Sequence, residues 1–252
     1  MPTEPKDQEF LPEESNMPFL EHLEEFRRRL IKSFLAVIVC SAIAGYFSDD
    51  LVKLITHPLG GIKLHVTEVT GSFYAYLKVA LFTGIVTALP FVFYQLWAFV
   101  SPGLYPREKR AILPLVIIST LLFLIGATFC YLLVLPLALH ILIGFSEGLF
   151  TPIITVSSYI TFAGLFLLAF GLAFELPVVA YFLGRIGLIS ADFLIKGRRY
   201  AVVIILIVAA LLTPADVFTQ LLLAVPLYIL YEISIVIVRM TGADREAKAV
   251  DN

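Results

Sequence analysis

Long uninterrupted apolar runs organise this chain. Six of them stand out, at about Leu30–Phe47, Phe73–Val100, Ala111–His140, Tyr159–Leu183, Tyr200–Leu212 and Val217–Val238. A helix rises 1.5 Å per residue, so roughly 20 apolar residues cross the ~30 Å hydrocarbon core of a bilayer. The pattern predicts an all-α, polytopic membrane protein of six transmembrane helices. The fifth run is short. Arg198 and Arg199 bound it on one side and Thr213-Pro214 on the other, so its apolar part covers only about 20 Å. Two readings fit: a short helix whose polar neighbours reach out to the interface, or a bilayer thinned at this hairpin. Pro90, Pro114, Pro136, Pro177 and Pro226 fall inside the runs. Each removes a backbone donor, which predicts a kinked bundle with an open, concave arrangement.

Between and before the runs the period changes. In Met17–Arg29, Phe19, Leu20, Leu23, Phe26 and then Leu30 recur at helical spacing, with Glu21, His22, Glu24, Glu25 and the arginines opposite. This predicts an amphipathic helix at the membrane interface, leading into the first span. Thr213-Pro214-Ala215-Asp216 has the form of a helix start. Thr213 caps, Pro214 takes the first helical position, and Asp216 reaches back to an orphan amide. Residues 1–16 are acidic and contain three prolines, and 241–252 are polar. Both stretches are expected to be disordered tails, with no cleavable leader, around a transmembrane domain at 17–240.

Charge gives direction to the bundle. Of the 18 lysines and arginines, only Lys53, Lys63 and Lys78 fall on one side of the predicted membrane; all the others gather in the first segment, the second and fourth loops and the last segment. By the positive-inside rule, both ends lie on the cytoplasmic side of a multi-pass cytoplasmic (inner) membrane protein. Hydrophobic residues are 60% of the chain, charged residues 15%, and the net charge is −2. That leaves no basic field for nucleic acid. Cys40 and Cys130 lie in apolar runs and read as small buried hydrophobes. There is no GxxxxGK[ST], HExxH or GxSxG, and His22, His57, His65 and His140 have no metal-ligand spacing. No catalytic residue, metal or cofactor is expected, so work across the membrane must draw on an ion gradient or a partner.

Among the polar residues, Glu175 is the least at home. It sits inside the fourth run, and an acid at bilayer depth costs roughly 2.5–3.5 kcal/mol. It must face helices or water, either as a functional group or as an interhelical hydrogen bond. Gln95 and Gln220 are polar groups that could share a wet cavity with it, with packing contacts as the plain alternative. Glu232 lies near an interface. Glu25 and Glu108 look like ordinary surface charges by spacing alone, Glu25 pairing with Arg29 at i,i+4.

Three blocks change that reading. The first is Phe19 to Leu30, with His22, Glu25, Arg27 and Arg29 in an H-L-x-E-x-R-x-R-L pattern. The second is Pro90 to Tyr105 (PFVFYQLWAFVSPGLY) followed by Glu108-Lys109-Arg110. The third joins Phe170 to Pro177 (FGLAFELP) with Leu212 to Gln220 (LTPADVFTQ). Together they resemble the TatC family, the signal-peptide receptor subunit of the twin-arginine protein translocase, in order and spacing from Phe19 to Arg239. Phe26 stands where the family has Leu, and Ala215 where a second proline is more common.

The resemblance implies a receptor that binds twin-arginine signal peptides of folded proteins at the cytoplasmic face. It implies TatA and TatB, or a bifunctional TatA, as partners, membrane lipids around the chain, a homo-oligomer within the receptor complex, and transport driven by the proton-motive force. By position, Glu25 and Glu108 become the carboxylates that receive the two arginines, with Arg27 and Phe99 in the same patch. Glu175 becomes the buried acid of the concave face, and Gln220 a partner-contact position. Pro58 matches a family proline in the first external loop. Two rivals remain: a solute or ion transporter with Glu175 as proton relay, and an intramembrane enzyme. The first lacks a convincing internal repeat, and the second lacks a nucleophile–base pair.

Overall fold

The computed structural model describes residues 17–100, 112–144, 153–212 and 217–250. They form nine α-helices and no strand, with one isolated bridge between His65 and Thr155. Five stretches are long and apolar enough to cross a membrane: Glu21–Tyr46, Gly71–Val100, Leu113–Gly144, Val156–Arg185 and Val217–Thr241. They match the first, second, third, fourth and sixth predicted runs. The fifth run lies within a 22-residue helix, Ala191–Leu212, whose first half carries Asp192, Lys196, Arg198 and Arg199.

Helix α1, Met17–Tyr46, is a single 30-residue element. The interface helix and the first span, expected as two pieces, are joined without a break. Nothing between Arg29 and Leu30 interrupts the helix: neither glycine nor proline occurs between Pro18, in its first turn, and Gly45. At about 45 Å, α1 is longer than a bilayer core, so its charged first turns extend beyond the apolar part. It packs on α3, Gly71–Val100, through small residues. Ala80, Gly84 and Ala88 are buried at spacing four on α3, and Ala44 is buried on α1. A Cβ built on Gly84 would lie 2.4 Å from the Ser41 Cα, so the two backbones touch at this crossing.

A short helix α2, Ser48–Thr56, and a 3₁₀ turn, His57–Leu59, follow α1. Pro58 sits in that turn, which ends at Gly60 with φ 61°. Two tyrosines tie α2 down. Tyr159 donates to the Ile55 carbonyl at 2.6 Å and Tyr131 to the Leu54 carbonyl at 2.7 Å. Both carbonyls lie in the last turn of α2, and that of Leu54 also accepts from the His57 N–H.

The third and fourth stretches are interrupted, each beside a proline. Helix α4, Ile112–Phe129, passes into a π turn, Cys130–Val134, and then α5, Leu135–Gly144. The wider turn accommodates Pro136, which has no N–H for the carbonyl one turn back. Helix α6, Val156–Ala173, ends at Phe174, and α7, Leu176–Arg185, begins with Pro177 in its first turn. Pro114 lies in the first turn of α4, where a missing donor costs nothing, and Pro90 and Pro226 stay inside unbroken helices.

Helix α8, Ala191–Leu212, and α9, Val217–Val250, form an antiparallel pair. Arg198 and Glu232 meet at 2.6 Å, Tyr231 donates to the Leu194 carbonyl at 2.8 Å, and Gln220 Nε2 donates to the Leu206 carbonyl at 3.0 Å. Helix α9 continues past its apolar residues through 241–250, the stretch the sequence reads as a tail. The expected cap at Thr213, Pro214 and Asp216 lies outside the described residues, as do Glu108 and residues 1–16.

Candidate functional site

Two polar assemblies stand out on this apolar framework. The first lies where the charged turns of α1 meet the end of α3. His22, Glu25, Phe26 and Arg29 recur on α1 at spacings of three and four. Gln95 and Phe99, one turn apart on α3, face them. His22 stacks on Phe99 with ring centroids 4.3 Å apart and planes at 17°, and Phe26 packs beside the same ring at 5.2 Å.

Arg29 joins the two helices. Its Nε and Nη2 donate to Glu25 Oε1 at 2.9 and 2.6 Å, and its Nη1 donates to Gln95 Oε1 at 3.2 Å. A guanidinium has only donors, so the Gln95 amide must turn its oxygen toward it. The second oxygen of Glu25 lies 4.0 Å from His22 Nδ1. The Glu25 side chain is 34% exposed, enough to be reached from outside, and Arg27 is exposed. The result is a carboxylate held by one guanidinium, walled by two aromatic rings and open on one side.

The second assembly is buried. Glu175 occupies the break between α6 and α7, 7% exposed. Its own N–H reaches back only three residues, to the Leu172 carbonyl at 3.1 Å, while its carbonyl restarts the helix by accepting from Val179 N at 2.9 Å. Pro177 leaves the Ala173 carbonyl without its helical donor. The carboxyl lies beside Ser119 and the backbone of Phe123 on α4, but Oε1 is without a hydrogen bond.

Close backbone approach puts α4 there. A Cβ on Gly126 would lie 2.7 Å from the Phe170 carbonyl, and Gly171 is covered by the Phe123 ring. Ser119 is fully buried and accepts from Trp97 Nε1 at 3.2 Å, and the Trp97 ring meets Phe182 edge-on at 4.9 Å. Leu89, Phe93, Leu115, Val116 and Val178 complete an apolar cluster around these groups.

The predicted residues therefore divide. Glu25, Arg27 and Phe99 belong to the α1–α3 end. Glu175 is separate, inside the bundle. Gln95, a candidate to share a wet cavity with Glu175, points its amide at Arg29 instead. Gln220 is bonded to α8, and Pro58 is in the turn after α2. His22, Arg29, Trp97 and Ser119 were not singled out from the sequence as site residues. The signal for Arg29 is its i,i+4 spacing from Glu25, and Ser119 is one of two adjacent hydroxyls, with Thr120, in an apolar run. Among the described residues, no cluster of His, Cys, Asp and Glu could hold a metal ion.

Known proteins resemble this chain over most of its length. The model of the family described as Sec-independent protein translocase protein (TatC) matches residues 21–226. A Sec-independent protein translocase protein TatC from Desulforapulum autotrophicum is 45% identical over 240 residues, 93% of this chain and 89% of the relative. The protein of the same name from Aquifex aeolicus is 41% identical, over 93% of this chain and 99% of the relative. A crystal structure described as the twin-arginine translocase receptor TatC superposes with a TM-score of 0.81 at 41% identity, covering 87% of this chain and 99% of the other.

Proposed function

Because the chain belongs to the TatC family of Sec-independent protein translocase proteins, we propose that it is the receptor that reads twin-arginine signal peptides at the cytoplasmic face of the inner membrane. In this reading the five apolar stretches and α8 make six spans, with both ends in the cytoplasm. The kinked helices frame a concave face, with Glu175 buried behind it at the α6–α7 break. TatA and TatB, or one protein serving as both, assemble on the receptor around the folded cargo. The proton-motive force drives transport, and the chain itself performs no bond-making chemistry.

The observation that carries the proposal is the state of Glu25. It already binds a guanidinium through two hydrogen bonds, at 2.6 and 2.9 Å, in an open aromatic-walled patch. A carboxylate that accepts one guanidinium this way can accept another, and the planar fork suits it better than a lysine ammonium. Phe99 supplies an apolar wall for the residues beside the arginines. Glu108 is proposed as the second carboxylate from its place in the family pattern.

The test is binding of a synthetic signal peptide with two adjacent arginines to the full chain in detergent or nanodiscs. Hydrogen bonds to charged groups contribute about 1.5–3 kcal/mol, so Glu25→Ala and Glu108→Ala should each weaken binding by about tenfold or more, and Asp at either position by less. Unchanged peptide crosslinking in both alanine variants would remove the site from this patch.

A further inference from the structure

The same contacts bear on what an incoming arginine must displace. Glu25 Oε1 is not free. Two donors of Arg29 hold it, and a third donor of the same guanidinium is anchored 66 residues away on Gln95. Gln95 is 7% exposed, on the face of α3 that meets α1, so this anchor is fixed by the helix crossing. Arg29 is itself three-quarters buried. Its guanidinium is held in place, unlike a surface arginine that samples many rotamers.

We infer that Arg29 is a resident guanidinium that occupies the Glu25 carboxylate until a signal-peptide arginine displaces it. The inference rests on the receptor reading above and deepens it, by adding a competitor built into the site. The contact pattern sets the order of events. Both Arg29 donors go to Oε1, while Oε2 has only His22, at 4.0 Å. An incoming guanidinium can therefore take Oε2 first through one donor. It completes a two-oxygen fork only when Arg29 lets go of Oε1. The Gln95 oxygen keeps a hold on Arg29 during that exchange, so the displaced side chain stays in the patch.

The competitor lowers apparent affinity by the fraction of receptors whose carboxylate is open. A partly exposed Glu–Arg pair is worth only about 0.2–1 kcal/mol, so a minor but real fraction is open at any time. Removing the competitor should tighten binding by roughly two- to sixfold. A purely structural ion pair gives the opposite sign: its loss loosens the α1–α3 end and weakens binding. Functionally, the resident arginine spares the receptor a bare carboxylate facing the cytoplasm, and peptides offering a weaker cation must still meet the cost of displacing it.

The experiment is equilibrium binding of a fluorescent peptide with two adjacent arginines to the full chain in nanodiscs, beside its thermal stability. Arg29→Gln should bind roughly two- to sixfold tighter. Arg29→Lys, which keeps the charge but lacks the double donor, should shift the same way by less, and it decides the matter if the Gln variant fails to fold. Tighter binding in the Gln variant with wild-type binding in the Lys variant would mean that Arg29 merely repels the peptide's charge, overturning the inference. Unchanged or weaker binding in both variants, with Glu25→Ala inactive, would overturn it while leaving the receptor site standing. Full binding by Glu25→Ala would overturn the receptor site itself.

Discussion

Gly84 is the position where one methyl group should cost most. Placing a Cβ there brings it 2.0 Å from Ser41 Oγ, 2.4 Å from Ser41 Cα and 2.5 Å from Ser41 N. Two opposing terms act in Gly84→Ala. Alanine is the better helix former by about 0.8–1 kcal/mol. Overpacking a close contact costs about 1–3 kcal/mol, occasionally more. Here the obstacle includes backbone, so rotating a side chain away cannot relieve it, and α1 must move off α3 by about an ångström to restore ordinary contact at 3.4 Å or more. An obstacle that cannot rotate away puts the packing cost at the upper end of that range, about 2–3 kcal/mol, so the packing term wins with a net loss of about 1–2 kcal/mol.

The displacement also reaches the candidate site. Arg29–Gln95 and His22–Phe99 both span the same pair of helices. Thermal melting in detergent should show a fall of about 2–4 °C per kcal/mol lost, with weaker peptide binding. Gly144→Ala, where the added Cβ meets nothing within 4 Å, should bind peptide as wild type does. Ser41→Gly should rescue Gly84→Ala only in part, because it removes the 2.0 Å contact and leaves the two backbone ones. If Gly84→Ala melts and binds as wild type, the close crossing of α1 and α3 is wrong, and with it the placement of Gln95 against Arg29.

Two further predictions concern transport and topology. Glu175→Ala should retain signal-peptide binding but lower transport roughly tenfold, since a polar contact between helices in lipid is worth about 1–2 kcal/mol; Glu175→Gln should keep part of the activity. Transport assayed beside binding checks this: full transport by the Ala variant would make Glu175 structural, and total failure of the Gln variant would make it an obligatory proton carrier. A cysteine at Lys196 should be labelled from the cytoplasmic side only and one at Lys63 from the opposite side only; labelling of Lys196 from outside would break the proposed topology.

Much of the architecture follows from the sequence, because lipid imposes a simple rule. Backbone groups must be satisfied within each helix, so an apolar run of the right length dictates a helix whatever it packs against. That is why Phe73–Val100 and Val217–Val238 were legible to within a few residues. Pro177 marks a candidate break at Glu175, but proline alone does not decide it, since Pro90 and Pro226 sit inside unbroken helices. The proposed receptor role of Glu25 rests on the ordered family blocks, since its spacing alone describes an ordinary surface charge.

What the tertiary structure decided is which faces meet. These helices are apolar on nearly every side, so periodicity gives no preferred face to pack. The rotation of each helix is set by small residues that let backbones close up, as at Gly84 against Ser41 and Gly126 against the Phe170 carbonyl. Those contacts turn Gln95 toward Arg29 and bring Ser119 beside Glu175. The unbroken course of α1 was equally hidden. Amphipathic and all-apolar patterns read as two elements, yet a helix with no glycine or proline between its first turn and its last has no physical reason to stop where its surroundings change from water to lipid.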